Sequence, residues 1–140
     1  MITWLKAEEQ HQHKNGGGWV ANTATVEDSV YIGPDAQVSG NAQVYGNARV
    51  YGDARVSGNA QVSGNAQVFG DAWVETPLFI QGTKHGVSNS SYGKLSIGCV
   101  TLTFAEWKKQ YRALGKREGY TEKQIKEYGA IIALATKIGK

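Results

Sequence analysis

An aliphatic residue returns at every sixth position from Val20 through Val26, Ile32, Val38, Val44, Val50, Val56, Val62, Val68 and Val74 to Ile80. A second column of small or aliphatic residues runs two places ahead of it, through Ala24, Val30, Ala36, Ala42, Ala48, Ala54, Ala60, Ala66, Ala72 and Leu78. A helical stripe needs apolar positions three and four apart, so this pattern excludes a helix. Each hexad instead predicts a short strand, small-X-Val pointing in, out and in, and then a Gly-containing corner where left-handed backbone is cheap. Three such strands close a triangular coil, and residues three hexads apart stack at the ~4.8 Å spacing of paired strands.

In that register Asp35, Asp53 and Asp71 share a corner column, where short polar side chains satisfy backbone groups and no metal is needed. Tyr51 and Phe69 share another column, and Gln37, Arg55 and Trp73 lie together on an outward face. Outward aromatic residues on a solenoid predict either a subunit interface, made by Tyr51, Phe69 and Trp73, or a stacking platform for a flat ligand.

The period fails after Ile80, so the β-helix expected over residues 19–100 carries an irregular loop at 81–94, with Leu95 and Ile97 as its last inward pair. That loop holds Lys84, His85, Ser88, Asn89, Tyr92 and Lys94. Cations and hydroxyls in such a set suit phosphate oxygens, so these residues together with Arg55 form the expected ligand site. Residues 101–140 change period again. Thr103 with Glu106, and Thr121 with Gln124, are capping-box pairs that open two helices, the first to about Arg117 and the second to about Lys137. Phe104, Trp107, Tyr111 and Leu114 line one face of the first, and Ile125, Tyr128, Ile132 and Ala135 one face of the second. These faces are expected to close the open end of the solenoid as a helical hairpin cap. Residues 1–18, with a Gly run and the triplet His11-Gln12-His13, read as a flexible N-terminal arm.

The formal net charge of +3 is too slight to suggest a nucleic-acid binder, but its distribution is uneven. Residues 20–80 carry two cations against six acids, whereas residues 101–140 carry nine cations against four acids. The basic run Lys108, Lys109, Arg112, Lys116 and Arg117 faces either solvent or an anionic partner. The single Cys99 lies in an apolar-flanked segment and is expected to be a buried small hydrophobe. No long apolar run or signal-peptide core is present, so a soluble cytoplasmic protein without a membrane partner is expected.

Closure by three hexads resembles the hexapeptide-repeat proteins, with Ile32-Gly33-Pro34-Asp35-Ala36-Gln37 matching their repeat of aliphatic, Gly, two variable residues, small, variable. Most later hexads, such as Val44-Tyr45-Gly46-Asn47-Ala48-Arg49, place Gly one position later, as in simpler GNA and GDA arrays. The resemblance implies a mainly β fold, a left-handed parallel β-helix with a C-terminal α-helical hairpin, and a homotrimer about an axis parallel to the solenoid. From about Val30 to the end the chain is also similar to small phage and prophage proteins labelled hexapeptide-repeat or putative transferase. That similarity implies a phage-borne accessory protein of the host cytoplasm, with anti-defence activity as one employment, and it brings no catalytic residue.

Three functions are compatible with these features. The first is a non-catalytic binding protein that sequesters a small anionic, nucleotide-like ligand, such as a host-defence signal, at subunit clefts. The second is an inhibitor that binds a host defence protein directly. The third is a hexapeptide-repeat acyltransferase, for which His85 is the one histidine near the solenoid, with no acidic residue in its own segment to orient it. No cofactor is expected, and nucleic acid is not expected as a partner.

Overall fold

The sixfold pattern builds a parallel β-solenoid. The computed structural model describes residues 1–140, and the chain divides into two units, Met1–Pro77 and Leu78–Lys140.

In the first unit almost every hexad yields a two-residue strand. One face stacks β2 (Trp19–Ala21), β5 (Gln37–Val38), β8 (Arg55–Val56) and β11 (Ala72–Trp73). The second stacks β3 (Thr25–Val26), β6 (Gln43–Val44) and β9 (Gln61–Val62), and the third β4 (Tyr31–Ile32), β7 (Arg49–Val50) and β10 (Gln67–Val68). All of these neighbours pair in parallel, and Val20, Val38 and Val56 follow one another down the first face in register. Val20, Ile32, Val38, Val44, Val50, Val56, Val62 and Val68 are buried, as are Ala36, Ala42, Ala48, Ala54, Ala60 and Ala66 between them. Each buried Val contributes roughly 1.5–3 kcal/mol. Ala alternates with Val because three facing walls leave little room along the axis. Corner glycines supply the left-handed step. Gly52 has φ 59°, and a Cβ there would stand 2.4 Å from the Phe69 carbonyl oxygen.

The last coil departs from the repeat. At Asp71, with φ 67°, a non-glycine residue takes the left-handed conformation that Gly40, Gly46, Gly52, Gly58 and Gly64 hold in earlier corners. The strand β11 therefore pairs as Arg55 with Ala72 and Val56 with Trp73, one residue short of the repeat. A one-residue slip exchanges the inward and outward faces. Trp73 is 3 % exposed and Val74 56 %, the reverse of the outward Trp73 and inward Val74 that the period predicts. An indole covers more of the core end than a valine does, and its Nε1 donates to the Gly70 carbonyl at 2.8 Å.

Residues 1–18 fold onto the first coil, which corrects the flexible arm. The strand β1 (Gln10–Gln12) pairs antiparallel with β2 and covers an edge that would otherwise be open. Ile2 is fully buried, and the Gln10 amide accepts from the Ile2 amide at 2.8 Å and donates to its carbonyl at 3.1 Å. His13 is buried too, its Nε2 2.7 Å from the Val30 carbonyl oxygen.

In the second unit the chain forms a four-stranded antiparallel meander: β12 (Phe79–Gln81), β13 (Gly86–Ser91), β14 (Lys94–Ile97) and β15 (Val100–Thr103). The segment 81–94, expected as an irregular loop, thus contains a six-residue strand. Its polar composition is compatible with a sheet because alternate positions do different work. Val87 and Ile97 pair across β13 and β14 and enter the core, while Ser90, Ser96 and Thr101 join their hydroxyls at 2.6 and 2.7 Å. Helices α1 (Phe104–Arg117) and α2 (Glu122–Ile138) begin at the predicted capping boxes of Thr103 and Thr121. Their apolar faces are spent on this sheet, where Trp107, Tyr128, Ile132 and Ala135 pack with Val87, Leu95 and Ile97.

Candidate ligand pocket of the second unit

The C-terminus of α1 determines where the central aromatic residue of the pocket lies. Gly119 has φ 78°, its amide donates to the Lys116 carbonyl at 3.2 Å, and the Tyr120 amide donates to the Gly115 carbonyl at 2.8 Å. This Schellman ending needs glycine at the left-handed position and turns the following residue back toward the helix. Tyr120 thereby faces the turn between β12 and β13.

That turn is held by α2. The Thr83 amide and hydroxyl both donate to the Glu127 carboxylate, at 2.8 and 2.5 Å. The Tyr128 hydroxyl accepts from the amides of Lys84, at 3.0 Å, and His85, and donates to the His85 carbonyl at 2.6 Å. So anchored, His85 places Nδ1 2.6 Å from the Tyr120 hydroxyl with the two rings stacked at 5.9 Å. Lys84 Nζ donates to the Glu118 carbonyl at 3.0 Å and sits 4.7 Å from the centre of the Tyr120 ring. Burial, followed by the electrostatic influence of Tyr128 and of the Glu118 and Glu127 carboxylates, pushes the Tyr120 hydroxyl up to about 12, so it stays a neutral phenol over the ordinary pH range.

Behind this pair lies a cavity of about 120 Å³ between the sheet and the two helices. Trp107, Tyr111, Tyr120, Tyr128 and His85 give it aromatic walls, and Ile97, Val100, Leu114, Ile125 and Ile132 complete the apolar lining. The Trp107 indole Nε1 already donates to the Leu95 carbonyl at 2.7 Å, so this side chain offers the cavity its carbon surface. Gly115 and Gly98 also line it. A Cβ at Gly115 would be 2.9 Å from Ile125 Cγ1, so glycine lets α1 and α2 approach here. At the mouth stand Glu118 and Cys99. Cys99 is exposed, contrary to the buried hydrophobe expected, because it occupies the tight turn from β14 to β15 beside Gly98.

The predicted site residues are only partly brought together. His85 lines the pocket, and Lys84 lies beside it against Tyr120 and Glu118, two of the lining residues. Ser88 and Asn89 are buried in β13 instead, with Asn89 donating to the carbonyls of Ser91 and Lys94 and accepting from the Lys140 amide at 2.7 Å. They hold the fold and are not free to meet a ligand. Tyr92 and Lys94 are exposed around the β13–β14 turn, Lys140 Nζ lying 5.5 Å from the Tyr92 ring. Arg55 is exposed on the first solenoid face. Of the expected interface residues, Tyr51 and Phe69 do stack outward at 5.5 Å, with Arg49 5.8 Å from the Tyr51 ring and 5.7 Å from Tyr31, whereas Trp73 is buried.

Residues 42–58, 48–64 and 60–75 match the YdcK beta solenoid repeat. The matched segments lie wholly within the first unit, so the similarity concerns the solenoid and leaves the pocket without a counterpart. No curated protein and no solved structure matches the chain. No helix is long and apolar enough to cross a membrane.

Sequence reasoning missed Tyr111, Tyr120 and Glu127 as site residues, and read Tyr128 only as core. One signal was available. Gly115 interrupts an otherwise well-formed helix at a cost of about 1 kcal/mol, which requires a packing reason.

Proposed function

We propose that this is a binding protein whose second unit captures a small ligand with a flat ring and an anionic group, the class to which nucleotides belong. The carrying observation is the cavity of about 120 Å³ with five aromatic walls, one of which, Tyr120, carries the Lys84 ammonium 4.7 Å from its ring centre. An apolar cavity of ~150 Å³ accepts benzene, so a single ring suits this one. The His85–Tyr120 pair offers a hydrogen bond to an edge of the ring, and Lys84 offers its charge to an anion. Glu118, at the same mouth, would disfavour anions placed on its side. Capture without turnover would suffice to withdraw a signalling molecule, which is the sequestering role in host defence expected from the sequence alone.

Calorimetry of the full chain against a panel of cyclic and linear nucleotides tests this reading. Stoichiometric binding, weakened about tenfold (1.4 kcal/mol) by Lys84→Gln and again by Tyr120→Leu, is the expected result. If no nucleotide binds while one host protein is recovered from lysate in stoichiometric amount, the direct-inhibitor reading replaces it. Conversion of a nucleotide to a new species would make the protein an enzyme.

A further inference from the structure

We propose that the outer face of α1 docks on the phosphodiester backbone of a nucleic acid, without reading its bases. This surface is independent of the pocket. Lys108, Arg112 and Lys116 follow one another at four-residue spacing, ~6 Å of helix rise per step, with Lys109 beside the first and Arg117 beside the last. All five are exposed, because Trp107 and Gly115 turn the opposite side of the helix into the core. Arg112 is further positioned by its own neighbour, its guanidinium lying 5.3 Å from the Tyr111 ring.

The modest net charge of the chain conceals a strong segregation. The first unit has four Lys and Arg against eight acids, or −4, and the second has eleven against four, or +7. The acids of the second unit are largely committed. Glu106 accepts from the Thr103 amide at the start of α1, Glu127 binds Thr83, and Glu118 faces Arg117 at 3.5 Å. No salt bridge neutralises Lys108, Lys109, Arg112 or Lys116. Between these cations the face presents Ala105, Gln110, Ala113 and the helix-capping Glu106, with no large apolar side chain. It therefore lacks the anchor that membrane insertion or a protein hot spot requires. A linear row of unpaired cations on a rigid helix complements a linear polyanion, whose attraction comes from neutralised phosphates and released counterions.

Fluorescence anisotropy of the full chain with a labelled DNA duplex of about 20 bp and arbitrary sequence, between roughly 50 and 200 mM salt, tests the proposal. Four to five phosphate contacts predict a slope of log K against log salt of about −4. A second duplex of scrambled sequence binds with the same affinity. The triple variant Lys108→Gln/Arg112→Gln/Lys116→Gln lowers the magnitude of the slope by about 3, and each single variant by about 1, so a misfolded triple leaves the single variants to decide. Lys6→Gln, in the acidic unit, changes nothing. Failure to bind at ~50 mM salt, a slope unaffected by the single and triple variants, or binding to phosphatidylserine vesicles in preference to the duplex overturns the proposal.

Discussion

The Tyr128 hydroxyl serves two amides and a carbonyl of one turn, and the ring that this turn supports, His85, in turn meets Tyr120. Removal of a buried partner of this kind costs more than the bond itself contributes, because the donors left behind must remain desolvated. Tyr120 is the residue whose ionisation would report the integrity of this arrangement. Its hydroxyl titrates at about 12 instead of the ordinary 10.0, chiefly because burial disfavours the phenolate. A raised folded-state value means that the folded protein holds the proton more tightly than the unfolded chain. The resulting stabilisation is complete below pH 10 and is lost as pH rises from about 10 to 12. Thermal unfolding of wild type and Tyr120→Phe across that range should show the wild type losing stability more steeply. Parallel curves for the two proteins would mean that the phenol is solvated.

At the scale of elements, the last solenoid strand carries the sharpest choice. The sixfold pattern favours Val74 in the core, and the slipped β11 places Trp73 there. Replacement of a buried Trp by Ala typically costs ~3–5 kcal/mol, and replacement of an exposed Val changes stability by ~0.5 kcal/mol or less. Chemical denaturation of Trp73→Ala and Val74→Ala should reproduce that contrast. If Val74→Ala is the damaging change and Trp73→Ala is neutral, the unslipped register holds. Burial deeper in the same solenoid sets a second expectation. Val56→Asp places a carboxylate among fully buried aliphatic side chains, with no partner in reach, and should leave no cooperatively folded protein by circular dichroism.

At the scale of the whole molecule, the outward Tyr31, Arg49, Tyr51 and Phe69 form a cationic and aromatic patch on one solenoid wall. Such patches are characteristic of subunit contacts, and the trimer implied by the hexapeptide-repeat resemblance would use this wall once per subunit. The expected mass in solution is three times the 15.1 kDa of one chain, measured by light scattering at micromolar concentration. Tyr51→Ser/Phe69→Ser should reduce it to that of a single chain. A wild-type protein that already scatters as a monomer would remove the trimer and leave the patch to another partner.

What the sequence determined by itself is whatever repeats or caps locally. A period of six has one packing solution along a three-walled axis, so the Val and Ala columns could be placed residue by residue from Ile32 to Val68. Capping boxes and a Gly after Glu118 are likewise local, and they marked both helix starts and the turn between them. Only the tertiary structure decided the rest. The run from Gly86 to Ser91 reads as a loop because its polar residues break the apolar alternation of a strand, and their partners are supplied by the antiparallel register with β14 and of β14 with β15, which residue type alone does not specify. The Trp73 slip depends on a competition at the end of the core between an indole and a valine, and each is apolar enough to satisfy the pattern. The pocket joins a β-turn, the end of one helix and the face of another, so Lys84, Tyr120 and Tyr128 become neighbours through packing between residues up to 44 positions apart.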